Sequence, residues 1–285
     1  IAICGDYDAD GITSTVLLVE LLSKLGANAL SYIPSRKDDG YGLNINMIDD
    51  IYSNGIRLII TVDNGISAIE AIKRSNELGI DLIITDHHKI TNIDIDYYAL
   101  IHPERAPNNS PYKYLAGVGI AYMLANNICN SLNYDIDRTT AKILFSIGTV
   151  ADMAPLVGAN RKWLKEFLPT FNNTDNIGIR TILKKLELDN TQLTTDDIGY
   201  KIAPLINAVG RIDDPQLIID LLTISCEETI KNISAKCFKI NKERKRLTLE
   251  IETEAMKLAT NEYEDNNKFL VLTKRDWHPG IIGIV

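Results

Sequence analysis

Residues 55–88 read GIRLIITVDNGISAIEAIKRSNELGIDLIITDHH and contain two similar apolar runs, Arg57–Val62 and Asp81–Thr85. Each run has the length of a β-strand. The run Ser67–Leu78 between them has the apolar spacing of an amphipathic helix, and Gly79 follows it as a glycine follows many helix ends. This stretch therefore predicts two successive strand–helix units of one parallel sheet.

The same alternation runs through the first hundred residues. Further strand-length runs are Ile1–Cys4, Ala29–Ile33 and Tyr98–Ile101, and further helix-length runs are Thr13–Leu25 and Asn44–Tyr52. Strands that alternate with helices are typical of a parallel sheet with helical crossovers. We therefore predict an α/β fold over about residues 1–115.

After about residue 115 the strand signal fades and helices are predicted. The predicted helices are Ala116–Leu132, Arg138–Val150, Arg161–Phe167 and Pro215–Leu222. Heptad-like apolar spacing from Ile230 to Leu258 predicts one helix of about 30 residues. We divide the chain into a first domain at 1–225, helical over about 116–225, a long connecting helix at 226–262, and the start of a second lobe at 263–285. Its first strand is predicted at 268–273, and we interpret the chain as a fragment in which this lobe is truncated.

Composition limits the class of protein. The 285 residues are 45% hydrophobic and 24% charged, as in a globular protein rather than a disordered one. No apolar run reaches the roughly 18 residues of a membrane span. The four cysteines form no CxxC pair, which favours free thiols in a reducing compartment such as the cytoplasm.

The charge distribution leaves one alternative open. The formal net charge of −8 argues against coating of nucleic acid through bulk charge. Residues 231–247 nevertheless carry seven basic residues against one acidic residue. This segment is either the solvated face of a helix or a wall that faces phosphates.

Three acidic clusters each follow a predicted strand: Gly5–Gly11 (GDYDADG), Asp63–Gly65 (DNG) and Asp86–His88 (DHH). In an open parallel sheet, the loops at the carboxyl ends of the strands share one edge. So many carboxylates at one edge repel one another unless a cation offsets the repulsion. Carboxylate and imidazole groups suit Mn²⁺ and similar divalent ions, so the pattern predicts a metal site.

Each acidic residue also has a purely structural alternative. Aspartate is a favoured helix N-cap, and Asp10 or Asp63 taken alone fits that role. Asp152, in the segment GTVADMAP, taken alone fits an ordinary helix-end aspartate. The presence of three clusters at one edge favours the metal site over the caps.

In order and spacing, these segments resemble the DHH phosphoesterase superfamily. The matching segments are Asp6–Gly11, Val62–Gly65, Asp86–His88 and Gly148–Asp152. Other segments are similar to its RecJ branch, the single-strand-specific DNA exonucleases: Ile33–Arg36 with Gly40–Gly42, Leu115–Gly119 and Asn207–Arg211. Residues Trp277–Gly283 resemble the opening of the family's DHHA1-like second lobe. The resemblance implies that residues 1–225 form a DHH catalytic domain.

The resemblance also implies roles for the matching residues. It implies two divalent cations, with Mn²⁺ favoured and Mg²⁺ as the alternative, held by Asp8, Asp10, Asp63, His87 and Asp152, with Asp63 as the bridge. His88 would contact the scissile phosphate, and Asp86 would orient a histidine ligand. Asp6 belongs to the motif, but we do not predict that it binds metal directly.

Three further residues would bind substrate. Arg36 and Arg211 match arginines that contact phosphates, and an ordinary surface or ion-paired arginine is the alternative for each. Tyr41 would stack on a base, with a packed loop tyrosine as an equal alternative. Cys4 stands where some relatives carry a histidine ligand, and we expect it only to end a buried strand.

The function that the resemblance implies is a hydrolase: a metal-dependent 5′-to-3′ exonuclease that degrades single-stranded DNA to 5′-mononucleotides in DNA repair and recombination. A helicase and a single-strand-binding protein are the partners it implies, with no membrane. One alternative is a phosphodiesterase of the same family that acts on oligoribonucleotides or cyclic dinucleotides. Another is a non-catalytic replication scaffold of the same fold, in which metal ligands would be missing.

Overall fold

The structure, a computed structural model, describes residues 1–34, 42–90, 96–262 and 269–285, except the side chains of 261 and 262. Within these ranges, five strands form one sheet in the order β2-β1-β3-β4-β5, and all pairs are parallel. The strands are β1 (Ala2–Cys4), β2 (Leu30–Tyr32), β3 (Leu58–Val62), β4 (Asp81–Thr85) and β5 (Ala99–Ile101). The predicted α/β class is therefore confirmed.

Helices cover both faces of the sheet and make up most of the described chain after β5. They are α1 (Ala9–Lys24), α2 (Ile45–Ser53), α3 (Ile69–Glu77), α4 (Gly117–Ser131), α5 (Thr139–Ala151), α6 (Gly158–Phe167), α7 (Ile177–Lys185), α8 (Thr195–Asp197), α9 (Ala203–Ile212), α10 (Gln216–Thr223), α11 (Glu227–Glu262) and α12 (Pro279–Ile282). Short 3₁₀ helices lie at Pro103–Arg105 and Leu168–Asn173, and a π-helical turn at Ile198–Ile202 leads into α9.

Two apolar cores lie on opposite faces of the sheet, because successive side chains of a strand point to opposite sides. Ala2 and Cys4 of β1 face α2 and α3 in the smaller core. Ile3 faces the larger core, which α1, α4, α5 and the later helices complete. A parallel sheet buried on both faces explains why its strands are continuous apolar runs in the sequence.

Helix α1 lies at the centre of the larger core. It packs against α4, α5, α9 and α10 as well as against the sheet, and residues 9–18 are all buried. Its N-cap is Asp8, whose Oδ1 accepts hydrogen bonds from the amides of Asp10 and Gly11 at 2.9 and 3.0 Å. This cap starts the helix at Ala9, four residues before the predicted start at Thr13, so both Asp8 and Asp10 lie at its N-terminus.

The predicted long helix is confirmed as α11, which has 36 residues. Ile230, Cys237, Ile240 and Ile251 of its apolar stripe are buried, and α11 packs against α7, α9, α10 and α12. No helix in the described part of the chain is both long and apolar enough to span a membrane.

Two sequence expectations differ from the structure. Helix α9, which contains Asn207–Arg211, was not predicted, because its glycine and proline weaken the helical signal. The strand predicted at 268–273 is wrong for its described part: residues 269–273 form no strand, and none of the described strands pairs with them. The predicted domain boundaries remain predictions.

Candidate metal centre

The acidic clusters meet at the carboxyl edge of β1, β3 and β4, which are neighbours in the sheet. The strand order reverses direction between β1 and β3, and ligands of open α/β sheets bind at such a switch point. Asp63 directly follows β3, and Asp86 directly follows β4. Asp8 and Asp10 follow β1 across a short loop. We call this edge the carboxylate rim, formed by Asp8, Asp10, Asp63, His87 and Asp152.

Asp10 is fixed by a helix that is distant in the sequence. Its two carboxylate oxygens accept hydrogen bonds from the first amides of α4, those of Gly117 at 2.7 Å and Val118 at 2.8 Å. Asp10 therefore neutralises the positive end of the α4 dipole from 107 residues away. One bond to each oxygen leaves further lone pairs for a cation.

Asp63 has a backbone conformation that is unusual for a residue with a side chain. Its φ is 61°, in the left-handed region that aspartate tolerates better than most residues. Gly117 packs against it so closely that a Cβ built on this glycine would lie 2.5 Å from Asp63 Cβ. The start of α4 therefore fixes both Asp10 and Asp63.

His87 lies between three aspartates of the rim. Its Nε2 lies 2.9 Å from Asp63 Oδ1 and 3.8 Å from Asp10 Oδ2, and its Nδ1 lies 4.0 Å from Asp152 Oδ2. His87 Nε2 and Asp63 Oδ1 are buried atoms that form no hydrogen bond with any described residue. Adjacent ligands of an octahedral cation with bonds of about 2.1 Å lie about 3 Å apart, so this unbonded pair fits two ligands of one ion.

Two groups of side chains have ligand atoms close enough to share a cation. One group is Asp63, His87 and His88, and the other is Asp10, His87 and Asp152. In each group, the ligand atoms all lie within 4.8 Å of one another. The structure thus brings together the predicted ligands from four separate segments, and places Asp8 beside them as the cap of α1.

Burial, and after it mutual repulsion, shifts the pKa values of the acidic side chains at the rim. Burial, reinforced by Asp152 and Asp8, raises the pKa of Asp10 well above its usual range. Burial and the neighbouring carboxylates likewise raise the pKa of Asp63, and burial together with Asp8 raises that of Asp152 to about 6. Burial and the neighbouring His88 lower the pKa of His87 to about 4, so its ring is neutral at pH 7. Neutral imidazole and crowded carboxylates form a donor set that fits divalent cations.

Asp86 holds the DHH segment rather than joining the rim. Its Oδ1 accepts from the amides of His87 and His88 and from His88 Nδ1 at 2.8 Å, and its Oδ2 accepts from the Ile66 amide. Burial opposes ionisation, but these hydrogen bonds outweigh it and lower the pKa of Asp86. The hydrogen bond between Asp86 and the His88 ring is also the largest contribution to the raised pKa of His88. Asp86 thus orients the ring of His88, and its predicted role of orienting a histidine ligand remains a prediction.

Comparison with known proteins identifies the family of this chain. A sequence profile described as "DHH family, N-terminal domain" matches residues 1–149, more than half of the chain. The chain belongs to the DHH family. It is 36% identical over its full length to the single-stranded-DNA-specific exonuclease RecJ of Bacillus subtilis, and 32% identical to RecJ of Escherichia coli. It spans 36% and 52% of the lengths of these two relatives.

A solved structure has a fold similar to that of this DHH-family chain. The crystal structure of exonuclease RecJ bound to manganese superposes with a TM-score of 0.89 at 29% sequence identity. The match covers 99% of this chain and 70% of that one. The predicted resemblance to the DHH superfamily and its RecJ branch is confirmed by these similarities.

The residues predicted to bind substrate are less well defined. Arg36 and Tyr41 lie outside the described residues. Arg211, near the C-terminal end of α9, donates from Nη1 to the carbonyl of Gly280 in α12, at 3.3 Å. Cys4 is fully buried in β1, in the smaller apolar core, and burial raises the pKa of its thiol.

Sequence reasoning missed several residues that shape the site. Gly117 is one: it belongs to the LAGVG segment, but its close approach to Asp63 depends on tertiary packing. Asn207 is another: its Oδ1 accepts a hydrogen bond from the Ala9 amide at 2.8 Å and so holds α9 against the first loop. His102, which contacts the His88 carbonyl, is a third. Its position directly after a predicted strand could have placed it at the same edge of the sheet.

Proposed function

We propose that the chain is the catalytic part of a metal-dependent hydrolase that cleaves phosphodiester bonds of single-stranded DNA from the 5′ end and releases 5′-mononucleotides. The observation that carries the proposal is the pair His87 Nε2 and Asp63 Oδ1. These buried atoms lie 2.9 Å apart without a hydrogen bond, at a rim of carboxylates with raised pKa values. Similarity over the full chain to the RecJ exonucleases supports the choice of substrate.

The proposed ligands of two divalent cations are Asp8, Asp10, Asp63, His87 and Asp152, with Mn²⁺ favoured. When bound, two such cations supply an activated water at neutral pH and neutralise charge on the phosphate. The donor set fits this role, because ligand atoms of Asp10, His87 and Asp152 lie within 4.8 Å of one another, and Asp63 Oδ1 lies 2.9 Å from His87 Nε2.

His88 is proposed to assist at the phosphate. Its ring is exposed on one side, with 47% of the side chain accessible, whereas Asp86 beneath it is 1% accessible. The hydrogen bond to Asp86 favours the cationic ring, which suits a group that donates to a phosphate oxygen. Asp86 holds the ring and is proposed to act only through it. Arg211 and, in the undescribed segments, Arg36 and Tyr41 are proposed to bind the strand.

Hydrolysis of bis(p-nitrophenyl) phosphate by the 285-residue chain, with and without Mn²⁺, tests the metal chemistry. Asp63→Asn keeps a residue type that tolerates positive φ but removes the charge, and we expect activity to fall by at least about 10³-fold. Asp135→Asn, at an exposed position away from the rim, is the matched control and keeps wild-type activity. Equal activity of the two variants would exclude the proposed site.

A substrate panel tests the proposed specificity. We expect release of mononucleotides from 5′-phosphorylated single-stranded oligodeoxynucleotides, with little release from duplexes. Cleavage of oligoribonucleotides or cyclic dinucleotides without cleavage of DNA strands would assign the chain to another type of DHH phosphodiesterase. Absence of both Mn²⁺ binding and hydrolysis would favour the scaffold.

The proposed setting is DNA repair and recombination in the cytoplasm. The four cysteines are free, which suits a reducing compartment. A helicase that unwinds duplex and a single-strand-binding protein are proposed partners, because both supply the single strand that the enzyme would degrade. Pull-down of each purified partner by the full protein tests these interactions.

A further inference from the structure

His102 lies at the same edge of the sheet as the DHH segment but outside the proposed catalytic set. It directly follows β5, and its exposed fraction is 5%. Its Nε2 lies 2.7 Å from the carbonyl oxygen of His88, and its Nδ1 lies 3.1 Å from the Glu104 amide. A carbonyl accepts and an amide N–H donates, so these two contacts assign the ring proton to Nε2.

The bond from His102 completes a set of contacts around His88. Asp86 Oδ1 holds the His88 amide at 3.0 Å and the ring Nδ1 at 2.8 Å. His102 holds the carbonyl on the other side of the same Cα. Because the backbone is fixed on both sides and the ring is fixed at one nitrogen, the position of the imidazole at the rim is determined.

Water is a poor substitute for the His102 donor at this position. A cavity of about 330 Å³ lies beside the imidazole, with a lining that is largely apolar and includes Ile101, Leu115 and Met123. An ordered water typically makes about three hydrogen bonds, and here it would have the His88 carbonyl and the Glu104 amide in an otherwise largely apolar lining. A leucine in place of His102 would fill the space of the imidazole without a donor, and so leave the His88 carbonyl without its side-chain partner.

We propose that His102 is a positioning residue, which keeps the His88 imidazole at the carboxylate rim by donating its Nε2–H to the His88 carbonyl. This inference rests on the proposed hydrolysis of phosphodiesters. Misplacement of a catalytic group by about 1 Å lowers a rate by about 10²-fold, whereas binding of substrate by other groups is unaffected. The expected signature is a loss in kcat without a matching change in KM.

Three variants of the 285-residue chain separate positioning from stability. His102→Leu removes both hydrogen bonds, and His102→Gln keeps an N–H donor at about the reach of Nε2. Asn176→Leu is the matched control, because Asn176 makes the same two kinds of contact. Its Oδ1 caps a helix by accepting from the Ile179 amide, and its Nδ2 donates to the distant carbonyl of Leu222 at 2.7 Å. It lines a cleft with Lys24 at the far end of α1, about 20 Å along the helix from Asp10.

The activity assay is hydrolysis of bis(p-nitrophenyl) phosphate in Mn²⁺. We expect His102→Leu to lower kcat by about tenfold to a hundredfold with KM within about twofold, and His102→Gln to recover most of the loss. Asn176→Leu should lower the urea midpoint about as much as His102→Leu but keep kcat. A wild-type kcat in His102→Leu, an equal loss in Asn176→Leu, or no recovery in His102→Gln overturns the inference.

A second measurement needs neither metal nor activity. In ¹⁵N-histidine spectra of the metal-free chain, the Nδ1 proton of His88 is protected by Asp86, and we expect its solvent exchange to accelerate about tenfold or more in His102→Leu. His102→Gln should restore the protection. Unchanged exchange in His102→Leu refutes the positioning role even if the chain hydrolyses nothing. Absence of hydrolysis together with accelerated exchange refutes the proposed function alone.

Discussion

Replacement of Gly117 by alanine tests the link between packing and metal binding. The new Cβ would lie 2.5 Å from Asp63 Cβ and 2.9 Å from its Cα, whereas an ordinary carbon contact is about 3.5 Å or more. Asp63 or the start of α4 must therefore move by about 1 Å. Overpacking of this kind costs about 1–3 kcal/mol of unfolding free energy. Since metal ligands tolerate only about 0.2 Å, we expect Mn²⁺ affinity to fall by about 10–100-fold as well.

Urea denaturation with and without Mn²⁺ measures both effects. At a Mn²⁺ concentration of 100 times the wild-type Kd, the metal adds about 2.7 kcal/mol to the stability of the wild type. A hundredfold weaker Kd leaves only about 0.4 kcal/mol for Gly117→Ala. Gly199→Ala is the control, because its new Cβ would meet only Val150, at an ordinary 3.7 Å. If Gly117→Ala kept the full stabilisation by Mn²⁺, Asp63 would not be a ligand held in place by α4.

Three further predictions concern titration and thiol chemistry. Burial raises the pKa of Asp152 to about 6, so in the metal-free chain the folded state loses stability as Asp152 ionises with pH rising through 6. Asp152→Asn should therefore be more stable than wild type by about 2 kcal/mol at pH 8 and equal to it near pH 4. Urea denaturation at the two pH values measures this difference. Asp86 has a lowered pKa, and its ionised form stabilises the fold above about pH 4. Asp86→Asn should therefore lower the unfolding free energy by about 1–3 kcal/mol at pH 7, and the difference from wild type should disappear in acid. Calorimetry at several pH values measures this, and an unchanged stability would contradict the hydrogen-bond network around His88. Cys226 is exposed, and its hydrogen bond to Thr229 lowers its pKa, whereas the other three cysteines are buried. In the folded chain, one thiol should therefore react rapidly with Ellman's reagent and three should react slowly. Rapid reaction of several thiols would contradict the burial of the other cysteines.

The parallel sheet could be predicted because its signals are local. The apolar runs before Asp63 and Asp86 are continuous, as expected of strands buried on both faces, and glycines follow the crossover helices. The edge on which the acidic clusters meet then follows from chain direction alone. Motif spacing added Asp152, which the local pattern could not separate from an ordinary helix end.

The remaining part of the site depends on contacts between distant segments. The amides that hold Asp10 come from Gly117 and Val118, more than a hundred residues later. The assignment of Asp86 to His88, rather than to His87, depends on a turn geometry that residue spacing does not define. Helix α9 was missed because tertiary packing stabilises a segment whose own helical propensity is weak.

The enclosure of α1 restricts how far this protein can be trimmed. A minimal version that ended at residue 149, where the family match ends, would lack Asp152 and the helices α9 and α10 that cover α1. Such a truncation would uncover apolar side chains that are now buried, and a large uncovered apolar patch leads to aggregation. The folded unit that holds the carboxylate rim is therefore larger than the segment of the family match, and a minimal domain that stays folded must extend at least through α10.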